Sequence, residues 1–240
     1  MSIGLECKKV KRTGVIPAFL LGGILAAVVP IANMAVRSEI YIGHSKPPVQ
    51  VLLDANWQMM AMLNILLIVT GACLMYHTEH SDNAIQKMRT LPIKESRLFL
   101  GKFLLMTVMS FVGLTIEAIS IAFCVVHWFE QPDGMAIEIM KHFLYSFFLI
   151  LPTILLSLLI ASACKNMWVS LGIGVICVFM ATMLPTNQFV LSLFPFALPF
   201  QIFTGTAENI IHNFVIGVAA EIVGIAVAEI VFIKVRRSFE

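Results

Sequence analysis

Six stretches of this chain are too long and too apolar for an ordinary water-soluble fold. They run over about 14–36, 57–76, 103–126, 142–162, 167–186 and 209–233. A helix needs roughly 20 apolar residues to cross a bilayer core, and each run is close to that length. None has the period-2 alternation of a membrane-spanning strand. Lipid offers the backbone no water to bond, and only a helix satisfies its own N–H and C=O groups within one segment. The expected fold class is therefore an all-α integral membrane protein with six transmembrane helices in one domain, residues 1–240. Charged residues make up only 12% of the chain, half the share of about 25% in soluble domains.

The first run has a basic flank, Lys8, Lys9, Lys11 and Arg12, like that of a signal peptide. Its apolar stretch from Gly14 to Val36 is longer than the usual 7–15 residues of such a segment, and no A-x-A site follows. It is read as a retained transmembrane helix. The five cysteines, Cys7, Cys73, Cys124, Cys164 and Cys177, form no CxxC pair. They argue against a disulfide framework or a zinc site and for small apolar side chains.

Charge placement gives the orientation. The N-terminal tail, the segment 77–102, the turn at Lys165 and the C-terminal end together hold thirteen basic residues. The alternate loops hold only Arg37, Lys46 and Lys141. The positive-inside rule puts the thirteen in the cytoplasm, and six spans then place both termini there. The net charge of +2 gives no reason to expect a nucleic-acid partner. The outer loops carry Glu39, Asp54, Glu130, Asp133, Glu138 and Glu208. These would attract cationic ligands at low salt, and they serve equally well as ordinary solvated charges.

The longest polar stretch, "HTEHSDNAIQKMRTLPIKESRLFLGK" at 77–102, is thus a cytoplasmic loop. Ser81, Asp82 and Asn83 are helix N-cap residues by type. Ile85 and Met88 share a helical face. Pro92 disfavours helical geometry at Leu91 and ends the segment, and a new helix starts near Glu95. Three uses are open to such a surface helix: contact with anionic lipid through Lys87, Arg89, Lys94 and Arg97, simple linkage, or an apolar ridge offered to a soluble partner.

At this point the chain resembles a known family. "E79-H80…N83…L91-P92…F99-L100-G101-K102" is similar to the loop after the second helix in type-2 ABC exporter permeases, most of all those of lantibiotic-immunity transporters. The start "LECKKVKRTGVIP" and the late "LFPFALPFQ" resemble landmarks of the same family. The resemblance implies that the loop is a coupling helix seated in a separate ATP-hydrolysing subunit. Glu79, His80, Asn83, Ile85, Met88, Leu91 and Pro92 would form the docking surface. It further implies two copies of an ABC ATPase that uses ATP and Mg, a second permease of the same or a related chain, and contact with membrane lipid. The implied cargo is a cationic antimicrobial peptide expelled across a bacterial cytoplasmic membrane, for self-protection or resistance.

The chain itself holds no G-x-x-x-x-G-K-[ST] loop to cradle phosphates, no H-E-x-x-H and no G-x-S-x-G. It is read as a transporter subunit without its own ATPase motif, and not as an enzyme. No metal site is expected from "HTEH", whose order and spacing do not match a ligand set.

Ionisable residues at mid-span cost about 2.5–3.5 kcal/mol each on an insertion scale. Glu117 and Glu221 fall near the centres of runs three and six, with Glu229 closer to the cytoplasm and Asn64 in run two. Two readings stand side by side: a polar seam for substrate or coupling, and carboxyls that bond neighbouring helices. Pro152, with Thr153 and Ser157, predicts a kink in run four. The segment 187–208 is too polar and proline-broken to span and is read as an outer re-entrant or interfacial element. Two function classes remain as alternatives to peptide export: an ABC permease for another drug, lipid or ion cargo, and an ATP-independent channel or sensor subunit.

Overall fold

The ends of these helices are set by local backbone and capping signals. Pro48 opens one helix from the position where its missing N–H costs nothing. Leu184, extended at φ −72° and ψ 134° before Pro185, closes another. Asn166 caps the turn between, its side chain accepting the Trp168 N–H at 3.0 Å.

The computed structural model describes residues 14–42, 46–80, 95–129, 134–184, 189–203 and 208–238, and no strand occurs among them. The elements are α1 (Val15–Tyr41), α2 (Pro48–His80), α3 (Glu95–Trp128), α4 (Met135–Ala163), α5 (Met167–Met183), the one-turn α6 (Phe189–Ser192), a 3-10 turn (Leu198–Phe200) and α7 (Glu208–Ser238). Four helices are long and apolar enough to cross a membrane: Val15–Tyr41, Pro48–Glu79, Leu98–Trp128 and Met135–Ala163. Two shorter apolar stretches follow, Met167–Met183 and Val215–Ala228. The protein is a multi-pass membrane protein.

The helices outrun the apolar runs that predict them. α2 starts nine residues before Trp57, where "PVQVLLDAN" mixes polar and apolar residues. α4 runs through Pro152 as one helix. The non-helical backbone lies instead in α1, at Arg37 (φ −135°, ψ 32°).

Packing stacks two apolar clusters along the helix axes. One joins Val15, Phe19, Ile68, Met106 and Ile154; the other joins Met34, Leu52, Trp57, Ile121 and Phe143. The numbers rise along α1 and α3 and fall along α2 and α4 from the first cluster to the second, so α1 and α3 run parallel to each other and antiparallel to α2 and α4. α2 is the shared partner, touching α1, α3, α4, α5 and the 3-10 turn.

Lipid tails are as apolar as leucine, so helix association in a membrane depends on close fit more than on burial. The closest fit is between α1 and α3. A Cβ at Gly23 would lie 3.2 Å from the Gly113 Cα, and Ser120 Oγ donates to the Ala27 carbonyl across the same interface at 2.5 Å. Overpacking such a contact costs about 1–3 kcal/mol. Gly23→Leu should therefore lower the thermal unfolding midpoint of the purified protein in detergent. Gly172→Leu, whose Cβ meets nothing within 4 Å, should leave that midpoint nearly unchanged.

Candidate functional site

The polar loop is framed by the end of α2 and the start of α3. Two charged residues from these ends, 23 apart in sequence, meet in the interior. Lys102 Nζ donates to Glu79 Oε1, with side chains only 2% and 8% exposed. Lys102 also lies over the Tyr76 ring, 5.3 Å from its centroid. Taking two charges out of water is costly, and their attraction offsets that cost only when the geometry holds. The pair thus fixes the two roots of the loop to each other.

Of the residues expected at a docking surface, Glu79 is turned inward to this pair. His80 is the last residue of α2. Asn83, Ile85, Met88, Leu91 and Pro92 lie outside the described residues.

Of the expected intramembrane polar residues, the structure brings two together. Glu117 on α3 is fully buried, and Asn64 on α2 is 7% exposed. Asn64 is the polar neighbour of the Glu117 carboxyl. Even so, Asn64 Nδ2 and both Glu117 oxygens complete no hydrogen bond among the described residues. Ser110 Oγ, two turns away on the same face of α3, is likewise unbonded. Glu221 sits on α7, half-buried, with Oε2 unbonded among the described residues. Glu229 is also on α7.

A third feature is the irregular segment 189–203. Phe196, Ala197, Leu198 and Pro199 are buried among the helices, so their backbone groups need partners. Side chains supply them. Thr153 Oγ1 donates to the Pro195 carbonyl at 2.5 Å. Trp57 Nε1 donates to the Pro199 carbonyl at 2.9 Å. The Phe203 N–H donates to His142 Nδ1 at 3.3 Å. The Trp57 indole is itself wedged edge-on against the His142 ring, with centroids 4.4 Å apart. His142, Trp57 and Thr153 lie 7, 9 and 18 residues from the N-termini of their helices. At 1.5 Å per residue, that takes the segment from about 10 Å to about 27 Å along the bundle. On the far side, a Cβ at Gly217 of α7 would strike Leu193 Cδ2 at 2.5 Å.

Sequence reasoning assigns no site role to Trp57 or His142 and uses Lys102 only as a cytoplasmic basic residue and the last residue of the loop motif. All three stand at the ends of apolar runs, where a polar tip needs a partner once it is buried. A second pairing it missed joins α1 to α2, where Asn33 Nδ2 donates to Asn56 Oδ1 at 2.8 Å and to Tyr41 OH at 3.0 Å.

Residues 2–181 match the family model described as ABC-2 family transporter protein. Neither the curated proteins nor the solved structures give a match.

Removing one member of a buried ion pair is strongly destabilising, by about 3–5 kcal/mol. Glu79→Gln and Lys102→Met alone should each destabilise the protein by that order. The double variant should recover a large part of the loss. A double-mutant cycle of unfolding free energies in detergent measures this, and purely additive losses would show that the two groups do not interact.

Proposed function

Because the chain belongs to the ABC-2 transporter family, we propose that this permease subunit of an ABC transporter is the membrane half of an exporter for a cationic, membrane-active peptide of the lantibiotic kind. The observation that carries the reading is the polar loop rooted on the buried Lys102–Glu79 pair. A loop whose two helices are joined at their base passes a push to both of them, which a free linker would not.

Six spans complete the subunit. α5, at 17 residues, reaches about 26 Å, the short end of what crosses a bilayer. α7 contributes the apolar stretch Val215–Ala228. Both termini are cytoplasmic by the distribution of basic residues. The loop 77–102 is the coupling element, with Asn83, Ile85, Met88, Leu91 and Pro92 presented to a separate ABC ATPase and Glu79 anchoring its root. Two ATPase copies and a second permease, identical or related, complete the assembly. The segment 187–208 is a re-entrant or interfacial element on the outer side. Closure of the ATPase dimer on ATP moves α2 and α3 as rigid bodies between two states. The acidic outer loops favour a cationic cargo, and the Asn64–Glu117 seam offers it polar groups within the membrane.

The test is purification of the tagged chain from its host in mild detergent, with mass spectrometry of what accompanies it. A Walker-motif ATPase should co-purify, and the Met88→Asp, Leu91→Asp double variant should lose it. Absence of any ATPase, under conditions that keep other membrane complexes whole, would sink the exporter reading and favour an ATP-independent subunit. With the complex in hand, deletion of the chain should sensitise cells to cationic peptides, and Glu117→Gln should weaken protection. Full protection by Glu117→Gln would remove any need for a negative charge there.

A further inference from the structure

We propose that α2 is a strut that carries displacement of the polar loop to the irregular segment 189–203, with Lys102 and Trp57 as the positioning residues at its two ends. The proposal builds on the loop's role as a coupling element only for what supplies the push. The mechanical link is a property of this chain alone.

Three observations carry it. First, α2 is one unbroken helix of 33 residues, and Trp57 and Glu79 are about 33 Å apart along it at 1.5 Å per residue. Hydrogen-bonded helix transmits axial displacement over that length with little loss. Second, its inner end is tied to α3 by the buried Lys102–Glu79 pair, so a push on the loop is not absorbed by its two roots separating. Third, the segment is held by two different helices. α4 holds Pro195 through Thr153 and Phe203 through His142. α2 holds Pro199, between them, through the Trp57 indole.

The alternation gives the device its effect. The three anchor points are four residues apart and belong to α4, α2 and α4 in turn. If α2 and α4 move together, the segment rides along unchanged. If α2 shifts against α4, Pro199 is drawn away from Pro195 and Phe203, and the short turns between them must deform. These turns are held by main-chain bonds that such a shift would strain: Ala197 and Leu198 N–H to the Phe194 carbonyl at 2.7 and 3.1 Å, Phe200 N–H to the Ala197 carbonyl at 3.2 Å and Gln201 N–H to the Leu198 carbonyl at 3.1 Å. Small sliding of packed helices, amplified at an element with two arrangements, is a known form of conformational switching.

The experiment is hydrogen–deuterium exchange on the full chain in lipid nanodiscs, read by mass spectrometry on peptides covering 189–203. It compares the wild type with Lys102→Met, Trp57→Phe and the double variant. Lys102→Met should speed exchange in 195–203 by at least about threefold, as local opening becomes easier. Trp57→Phe keeps an aromatic, if smaller, side chain and removes the donor. In that background, Lys102→Met should have no further effect on the segment. Lys102→Arg, which keeps the charge, should restore wild-type exchange, and Glu79→Gln should reproduce Lys102→Met. The proposal is overturned if Lys102→Met changes exchange only near the loop, if its effect on the segment persists without the indole N–H, or if exchange rises equally in every helix. No ATPase takes part, so the result stands apart from whether one co-purifies with the chain.

Discussion

A backbone without water decides most of this structure. Every N–H and C=O in the hydrocarbon layer must be bonded within the protein, and the long helices meet most of that demand locally. The demand becomes informative where it is not met locally. Between α5 and α7 the prolines at 185, 195 and 199 forbid a long helix, yet the segment is buried. Its carbonyls are then paired by side chains brought from elsewhere: a threonine from α4 and a tryptophan from α2. The irregular segment and the helices that hold it form one hydrogen-bonding unit, and neither part is satisfied without the other.

The same constraint explains why α2 stands at the centre. A helix that must bond an irregular neighbour near one end and an ion pair at the other cannot lie at the periphery of the bundle. α2 accordingly touches four other helices and the 3-10 turn. Its buried residues enter three apolar clusters on different sides of the helix: Leu52 and Met60 in one, Ile68 and Ala72 in a second, Ile65 and Val69 in a third. α5 is the reverse case. Trp168, Ile176, Phe179 and Met183 are exposed on it, which suits a helix that meets lipid or another subunit along most of its length.

How much of this was legible in the sequence follows from the range of the interactions concerned. Helix existence was legible because apolar length is a local property. Helix limits were less so: Pro48–Asn56 reads as a loop by composition and becomes helix because Leu52 and Leu53 find a core to enter. The choice of Glu117 and Asn64 as buried polar residues rested on their place within apolar runs, and both are buried. Their mutual approach could not be read off, since it depends on how α2 is rotated against α3. The pairing of Lys102 with Glu79 spans 23 residues and that of Trp57 with Pro199 spans 142. No periodicity in the chain encodes contacts of that range. Proline offered a partial clue: "LFPFALPFQ" announced a broken element, although nothing in it named the helices that would hold it.

The seam between α2 and α3 is fitted differently along its length. At the end that borders the polar loop, Lys102 and Glu79 are bonded. Toward the middle, Asn64 Nδ2, Ser110 Oγ and both oxygens of Glu117 are buried and unbonded among the described residues. A buried polar group without a partner forgoes about 1–3 kcal/mol, so this stretch has few bonds to lose when the helices shift. The other side of α3 differs: Ser120 is bonded to Ala27, and Gly23 meets Gly113 backbone to backbone, so a shift there would break a hydrogen bond and open close packing.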